Sequence, residues 1–299
     1  MLRDKVSYDN LISIVVIYNP DFNQLRNIIN KQLVNFKNLL LINNSPELDL
    51  SEFNCEQIKI INNSSNFGLA KALNIGILEA KNKKFQFVAL FDQDTLLPLD
   101  FSKKMINFIN NCEHDKACLF CPNFYNLVTN RFNKINKIKF LRLKRYYPVD
   151  ESVSLPSFSI TSGSLIDLSK FKEIGFFDEN LFIDLVDTEW CLRAHNYGYK
   201  ILQNNKVIVQ HSLGEGHIKL FNLSIQIHSP SRLYYYFRNS IYLYTLPHIS
   251  FNWVVIDFLR NILRFIFYML FVKNRIKYFR YIIKGYYHGF IKKMDKLDE

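Results

Sequence analysis

No run of twenty apolar residues in this 299-residue chain is free of charge. The nearest approach, WVVIDFLRNILRFIFYMLFV at 253–272, is interrupted by Asp257, Arg260 and Arg264. A membrane span wants about twenty mostly uncharged residues, so this stretch does not read as one. The opening MLRDKVSYDN is polar and lacks the apolar centre of a secretory leader. Cysteine is sparse and odd in number, at 55, 112, 118, 121 and 191, with no framework spacing. These absences lead us to expect a reducing, cytoplasmic setting without structural disulfides. CLFC at 118–121 has CxxC form, but no second Cys/His pair stands at zinc spacing, so we expect two buried strand cysteines. There is no internal repeat. No nucleic-acid-binding motif accompanies the positive charge, which argues against nucleic acid as a partner.

What is present is apolar, aromatic and basic. Hydrophobic residues make up 48% of the chain and aromatics 15%, enough for a sizeable core. The formal net charge of +11 is uneven: Arg232 to Glu299 carries +8 and the rest +3. A nearly balanced body therefore ends in a strongly basic tail.

Strands and helices alternate through the first half. LISIVVIYNP reads as a buried strand stopped at Asn19-Pro20, and DFNQLRNIINKQLVNF as a helix. NLLLINNSP and QIKIINNSSN read as strands, GLAKALNIGILEAK as a helix, and KFQFVALF as a fourth strand. This order implies an α/β fold with a mostly parallel, Rossmann-like sheet flanked by helices. Further on we expect a helix at FSKKMINFINNC, a strand at ACLFCPNFY, a helix at DTEWCLRAHNYG and one or two strands at YKILQNNKVIVQH. Residues 126–155, polar, basic and aromatic without period, read as an excursion.

In FVALFDQDTLLPLD, an apolar strand ends in two carboxylates, Asp92 and Asp94. Ligands of open parallel sheets bind beyond the carboxyl ends of strands. Two acids there can hold a hard divalent cation such as Mg or Mn, which neutralises charge on a departing phosphate. The plain alternative is a helix cap and a strand end. The D-x-D-x-T pattern of haloacid-dehalogenase-type phosphohydrolases is not met, because Leu96 stands where Thr is required.

Four stretches taken in order resemble the family 2 inverting glycosyltransferases of the GT-A fold. They are ISIVVIYNP, NSSNFGLAKALNIGI, LFDQDT and GFFDENLFIDLVDTEWCLRAHNYGYKI. DQD, VDTEWCLRA and HSLGE look most like the bacterial rhamnosyltransferase branch, which uses dTDP-rhamnose. The resemblance covers roughly residues 11–240 and implies a nucleotide-sugar donor. It places donor contacts on Tyr18, Asn19, Pro20, Asn43, Asn66, Gly68, Lys71, Asp92 and Gln93. It puts a divalent metal on Asp92 and Asp94, with His211 contacting metal or diphosphate. Asn43 stands where the family has an Asp; an Asn carbonyl can still accept from a pyrimidine N–H, while a simple turn is the alternative. Asp187 takes the family's general base, which deprotonates the acceptor hydroxyl in a single inverting displacement. Val186 replaces the family's Glu, leaving Asp184 or Glu189 as substitutes. An i,i+4 pair with Arg193 is the plainer role for Glu189. Ser162, Gly163 and Ser164 are expected beneath the acceptor, and Trp190 and Cys191 in the core.

We expect two units, a GT-A domain at 1–230 and a helical extension at 231–299. Positions 257, 260 and 264 share one helix face, so the tail reads as an amphipathic helix in a membrane interface, with Lys273, Arg275, Lys277, Arg280 and Lys284 beside it. A cytoplasmic, peripheral enzyme acting on a lipid-linked or polysaccharide acceptor in cell-surface glycan synthesis fits this. Packing on the domain, or a homodimer, is the alternative for the tail. UDP-hexose or UDP-N-acetylhexosamine as donor, or a decayed glycan-binding protein, are the alternatives for function.

Overall fold

The apolar run at 11–17 becomes the centre of a sheet because every residue in it finds cover. The computed structural model describes residues 5–114, 116–127, 129–148, 153–211, 216–220 and 223–297, without the side chains of 211–226. Strand β1 (Leu11–Ile17) is buried along its whole length. Helix α1 (Phe22–Asn35) follows, opened by Asp21, whose carboxylate accepts from the Gln24 amide at 2.8 Å. Then come β2 (Leu39–Asn43), β3 (Ile58–Asn62), α2 (Gly68–Asn82) and β4 (Phe87–Asp92). β1 lies parallel between β2 and β4, and β3 extends the sheet beyond β2. Continuous apolar strands of this kind suit a parallel sheet covered on both faces.

The second half adds β5 (Thr95–Leu96), α3 (Phe101–Asn110), β6 (Ala117–Asn126), β7 (Arg131–Phe132), β8 (Ile135–Lys139), β9 (Arg142–Tyr146) and β10 (Val153–Ser154). β11 (Ser164–Asp167), α4 (Phe171–Ile174), α5 (Val186–Asn196) and β12 (Lys200–His211) complete the main body. The sheet runs β10-β12-β6-β11-β4-β1-β2-β3. β11 is antiparallel to both neighbours, so parallel order breaks beside β4. Cys118 and Cys121 are buried on β6, as expected. Burial pushes both thiols up to about 12, which keeps them protonated and unreactive.

One expectation changes. The excursion at 126–155 contains a regular hairpin, β8–β9, with Lys134, Lys137, Lys139, Arg142, Lys144 and Arg145 in or beside it. Its tip carries Phe140, 82% exposed. The C-terminal part follows a small hairpin, β13 (Gly216–Leu220) and β14 (Leu223–Ile227), with α6 (Pro230–Tyr244), α7 (Phe251–Phe271) and α8 (Arg275–Phe290). α7 is amphipathic as its spacing implies, and its polar face is the one turned inward. Asp257 is fully buried and accepts hydrogen bonds from Tyr236, Tyr244 and Asn261 at 2.9–3.1 Å. The Arg264 guanidinium lies 3.7 Å from the centre of the Tyr236 ring. Leu259, Leu263, Ile266 and Leu270 are left facing outward. α8 lies close on α6 at Gly285 and Gly289. A Cβ on Gly285 would stand 2.5 Å from the Tyr234 carbonyl. Among the described residues, no helix is long and apolar enough to cross a membrane.

Candidate active site

The carboxyl end of β4 is fixed from three sides. Asp92 is the last residue of the strand and pairs in register with Val16 of β1. Its amide donates to the Ser162 hydroxyl at 3.0 Å, and that hydroxyl also meets Thr95. Ser162 is thus a buried support beneath Asp92 rather than an open floor, and Ser164 is buried with its hydroxyl on the Ile160 carbonyl. Gly163, at φ +75°, makes the turn that lets its amide reach the Leu90 carbonyl at 2.7 Å. On the other side, β5 pairs with β12 so that Thr95 faces His211. The backbone therefore brings His211 next to Asp94; its side chain lies outside the described residues.

Gln93, between the two acids, clips the neighbouring turn. Its amide oxygen accepts from the Tyr18 N–H at 2.7 Å and its NH2 donates to the Tyr18 carbonyl at 2.8 Å. Tyr18 remains exposed beside the acids. Asn19, at φ +43°, is held through Ser45, whose hydroxyl accepts from the Asn19 amide and donates to its side-chain oxygen. Tyr18, Asn19, Pro20, Asp92 and Gln93 thus form one continuous rim.

Asn43 does not reach that rim. It is fully buried, donates to the Leu48 carbonyl and to Asn62, and accepts from the Ser45 amide. β2–β3 register sets Asn43 opposite Asn62. Asn44 repeats the pattern, accepting from Asn63 and the Phe67 amide and donating to Asn66 and the Gly68 carbonyl. These asparagines form a ladder that shapes the loops; the base contact expected of Asn43 is not available in this arrangement. A polar cleft of about 550 Å³, lined by Glu47, Asp49, Ser51, Asn54 and Asn62 among others, opens past the ladder.

The start of α2 is closed as well. Gly68, at φ +78°, sits under Phe182, and a Cβ there would lie 2.6 Å from the Phe182 carbonyl and ring. That carbonyl accepts from the Leu69 and Ala70 amides, while Asn66 caps the Gly68 amide. The first three amides of the helix are therefore satisfied by protein. Lys71 lies over the Phe67 ring at 4.5 Å.

The third acid stands at the entrance of α5. Asp187 is partly buried, and its Oδ1 accepts from the Thr188 amide at 2.7 Å. Burial pushes its carboxyl up to about 6; the Thr188 hydrogen bond opposes this, and the charges of Asp92 and Asp184 add to it. Asp187 and Asp92 therefore share one electrostatic environment across the site. Asp184 is paired with Arg232 at 3.1 Å. Glu189 points elsewhere: it is 1% exposed and holds Arg193 through two 2.8 Å bonds. His248 lies 2.8 Å from it, close enough for an ion pair though off the line of a hydrogen bond. Burial works against the Glu189 carboxylate, but His248 and Arg193 outweigh it and hold its pKa low. Glu189 is thereby a structural anion and no substitute base. Val186 is core, and so are Trp190 and Cys191.

A divalent cation would take Asp92 and Asp94 as its protein ligands. Among the described residues no group of three or more His, Cys, Asp or Glu could hold a metal by itself. Two carboxylates nevertheless suit Mg or Mn, which keep water and substrate phosphates as their remaining ligands. The donor set fits.

A sheet with β11 reversed beside β4, an acidic strand end and an opposing helix-borne carboxylate define a GT-A type glycosyltransferase. Residues 14–175 match the model of glycosyl transferase family 2, and the chain belongs to that family. It is 29% identical over 275 residues to the dTDP-rhamnosyl transferase RfbF of Shigella flexneri, covering 91% of this chain and 92% of that protein. Among solved structures, GalNAc-T7 with UDP, GalNAc and Mn2+ superposes with a TM-score of 0.55 at 17% identity, over 84% of this chain and 54% of that one. Residues 1–349 of TarS from S. aureus give 0.54 at 14% identity, over 95% and 82%. Both likenesses are of fold.

Proposed function

We propose that this glycosyltransferase moves L-rhamnose from dTDP-rhamnose to a glycan acceptor with inversion, using Asp187 as the general base. The observation that carries the reading is Asp187 itself: a carboxylate raised by burial, near enough to Asp92 to feel its charge, and distinct from the ion-paired Glu189. A base with a pKa near 6 is ionised at neutral pH and still able to take a hydroxyl proton. Asp92 and Asp94 would hold the cation, which when bound offsets charge on the departing diphosphate. Tyr18 and its clip to Gln93 would form the edge along which the nucleotide lies. The rhamnosyl donor is supported by the relative that matches nearly end to end.

Two measurements test this. Calorimetry with dTDP in the presence of Mn should show donor binding that Asp92→Asn weakens by at least about 10–100-fold, the range seen when even the partners of a metal's ligands are lost. Equal binding with and without Mn would remove the cation from the site. A thermal-shift panel of nucleotide sugars should give dTDP-rhamnose the largest stabilisation; a larger shift with UDP-hexose or UDP-N-acetylhexosamine would reassign the donor.

We also propose that the acceptor is lipid-linked and that the protein sits peripherally on the inner face of the cytoplasmic membrane. The outward leucines and isoleucines of α7, the exposed Lys277, Arg280 and Lys284 of α8, and the basic β8–β9 hairpin support this. The Leu141 amide bonds to Asn252 at 3.3 Å, so Phe140, Leu141 and Phe251 lie at one corner of that face. An apolar patch with a basic rim fits an anionic bilayer surface. The chain should float with phosphatidylglycerol vesicles and not with phosphatidylcholine vesicles, and Leu263→Glu with Leu270→Glu should prevent it. A concentration-dependent dimer that ignores vesicles would assign the face to a second copy instead.

A further inference from the structure

The segment that leads into Asp187 has an unfavourable backbone. Phe182 (φ +59°, ψ −67°), Asp184 (φ +62°) and Leu185 (φ +62°, ψ +3°) all lie in the positive-φ half of conformational space, and none is glycine. Each such conformation is unfavourable for a residue with a side chain and persists only where its surroundings hold it. The Ile183 amide turns back to the Leu181 carbonyl at 2.6 Å, a tight three-residue turn centred on Phe182.

What holds the turn comes from α6, outside the stretch that matches the family. The Asn239 side-chain NH2 lies 2.8 Å from the Leu181 carbonyl, 2.8 Å from that of Ile183 and 2.9 Å from that of Asp184, and shares its two N–H bonds among the three. The Asn239 oxygen accepts from Arg238 Nε at 3.0 Å, which fixes the amide's orientation. Arg238 also donates to the carbonyls of Asn180 and Leu181, and on its other side to those of Met294 and Asp295. Both side chains are fully buried. The Tyr235 ring stacks on Phe182 at 4.9 Å, and Arg232 holds Asp184. The clamped turn in turn caps α2 through the Phe182 carbonyl.

We propose that Asn239, oriented by Arg238, is a positioning residue for sugar transfer. It holds the reversed backbone at 181–184 so that Asp187 is presented to the site, which makes the first helix of the C-terminal extension part of the catalytic unit. A buried amide facing three carbonyls of a strained turn has no simpler task, because a core position is better filled by an apolar side chain than by one needing three partners. This assignment rests on Asp187 being the base.

The test uses the full chain and dTDP-rhamnose with water as the probe acceptor, following dTDP release, with dTDP affinity measured separately by calorimetry. Misplacing a reacting group by about 1 Å costs on the order of 10²-fold. Asn239→Ala is expected to slow release by about that factor while dTDP affinity stays within about twofold, at a temperature where the variant is folded. Asn239→Ser, which keeps one donor, should lose about tenfold, and it carries the test if the alanine variant does not fold. Release at the wild-type rate in either folded variant overturns the proposal. So does a loss of dTDP affinity that matches the loss of rate, since that is the signature of a general structural role. Asp187→Asn is run beside them: full release there overturns the base assignment, whereas a dead Asp187→Asn with an active Asn239→Ala overturns only the clamp.

Discussion

Replacing Asp187 by Asn is expected to cut transfer by about 10²–10⁴-fold, the usual contribution of a general base, and at the same time to raise the melting temperature. The two effects share one cause. In the folded chain, burial, Asp92 and Asp184 make ionisation of Asp187 unfavourable, lifting its pKa to about 6. In the unfolded chain it returns to about 3.9. A folded-state pKa above the unfolded one means that the protonated form is the one the fold favours. The penalty for ionisation is absent below about pH 4, grows as pH rises and is complete above about 6. At neutral pH it reaches about 3 kcal/mol, from roughly 1.4 kcal/mol per unit. Asparagine keeps the Thr188 hydrogen bond and removes the charge. Urea unfolding at pH 7 and pH 4 should show the gain at the higher pH only. Carboxyl-carbon NMR of the metal-free protein should find the Asp187 midpoint near 6. Unchanged turnover would end its candidacy, and an unchanged pH 7 midpoint would show that it carries no buried charge.

Two positions along the same helix, the opposite result is expected. Glu189→Ala should cost about 3–5 kcal/mol, because it leaves the Arg193 guanidinium, and His248 beside it, without their anion in the interior. Arg193 cannot withdraw to water without breaking its bonds to the carbonyls of Ile174 and Phe176, at 2.6 and 2.7 Å. Here the folded pKa is depressed, so the stabilisation is present above the unfolded carboxylate value of about 4.3 and is lost as pH falls through the folded value. Glu189→Gln, which keeps the shape, should lose less stability and leave the rate per folded molecule intact. A collapse in rate with stability preserved would return Glu189 to the chemistry. Neighbouring acids on one helix would thus separate cleanly, one sacrificing stability for reaction and the other supplying it.

Much of this architecture is written in short patterns. The apolar runs of β1 and β4, the turn formers after β2 and the paired aspartates are local signals, and they predict the sheet and its acidic end. Asp187 is pointed to by the family resemblance of VDTEWCLRA, and the structure sets it in the first turn of α5. Asn43 could not be placed, since its inward turn depends on β2–β3 register, which sets it against Asn62. The backbone at Phe182, Asp184 and Leu185 was hidden for a related reason: no glycine marks it, and its support lies more than fifty residues further on. α7 shows a third limit. Its two faces are plain from periodicity, but which one points inward is decided by Tyr236 and Tyr244 on α6, hydroxyls that make a buried Asp257 tolerable.

The reciprocal bonds between Gln93 and Tyr18 bear on how sugar preference could be re-engineered. They yoke two loops that a sequence alignment would treat as independent modules. A chimaera that exchanged residues 92–94 alone for ones lacking Gln93 would break both bonds to Tyr18 and unhook its loop, and any altered selectivity would be misread as a property of the exchanged residues. Residues 18–20 and 93 are one mechanical unit, to be exchanged together.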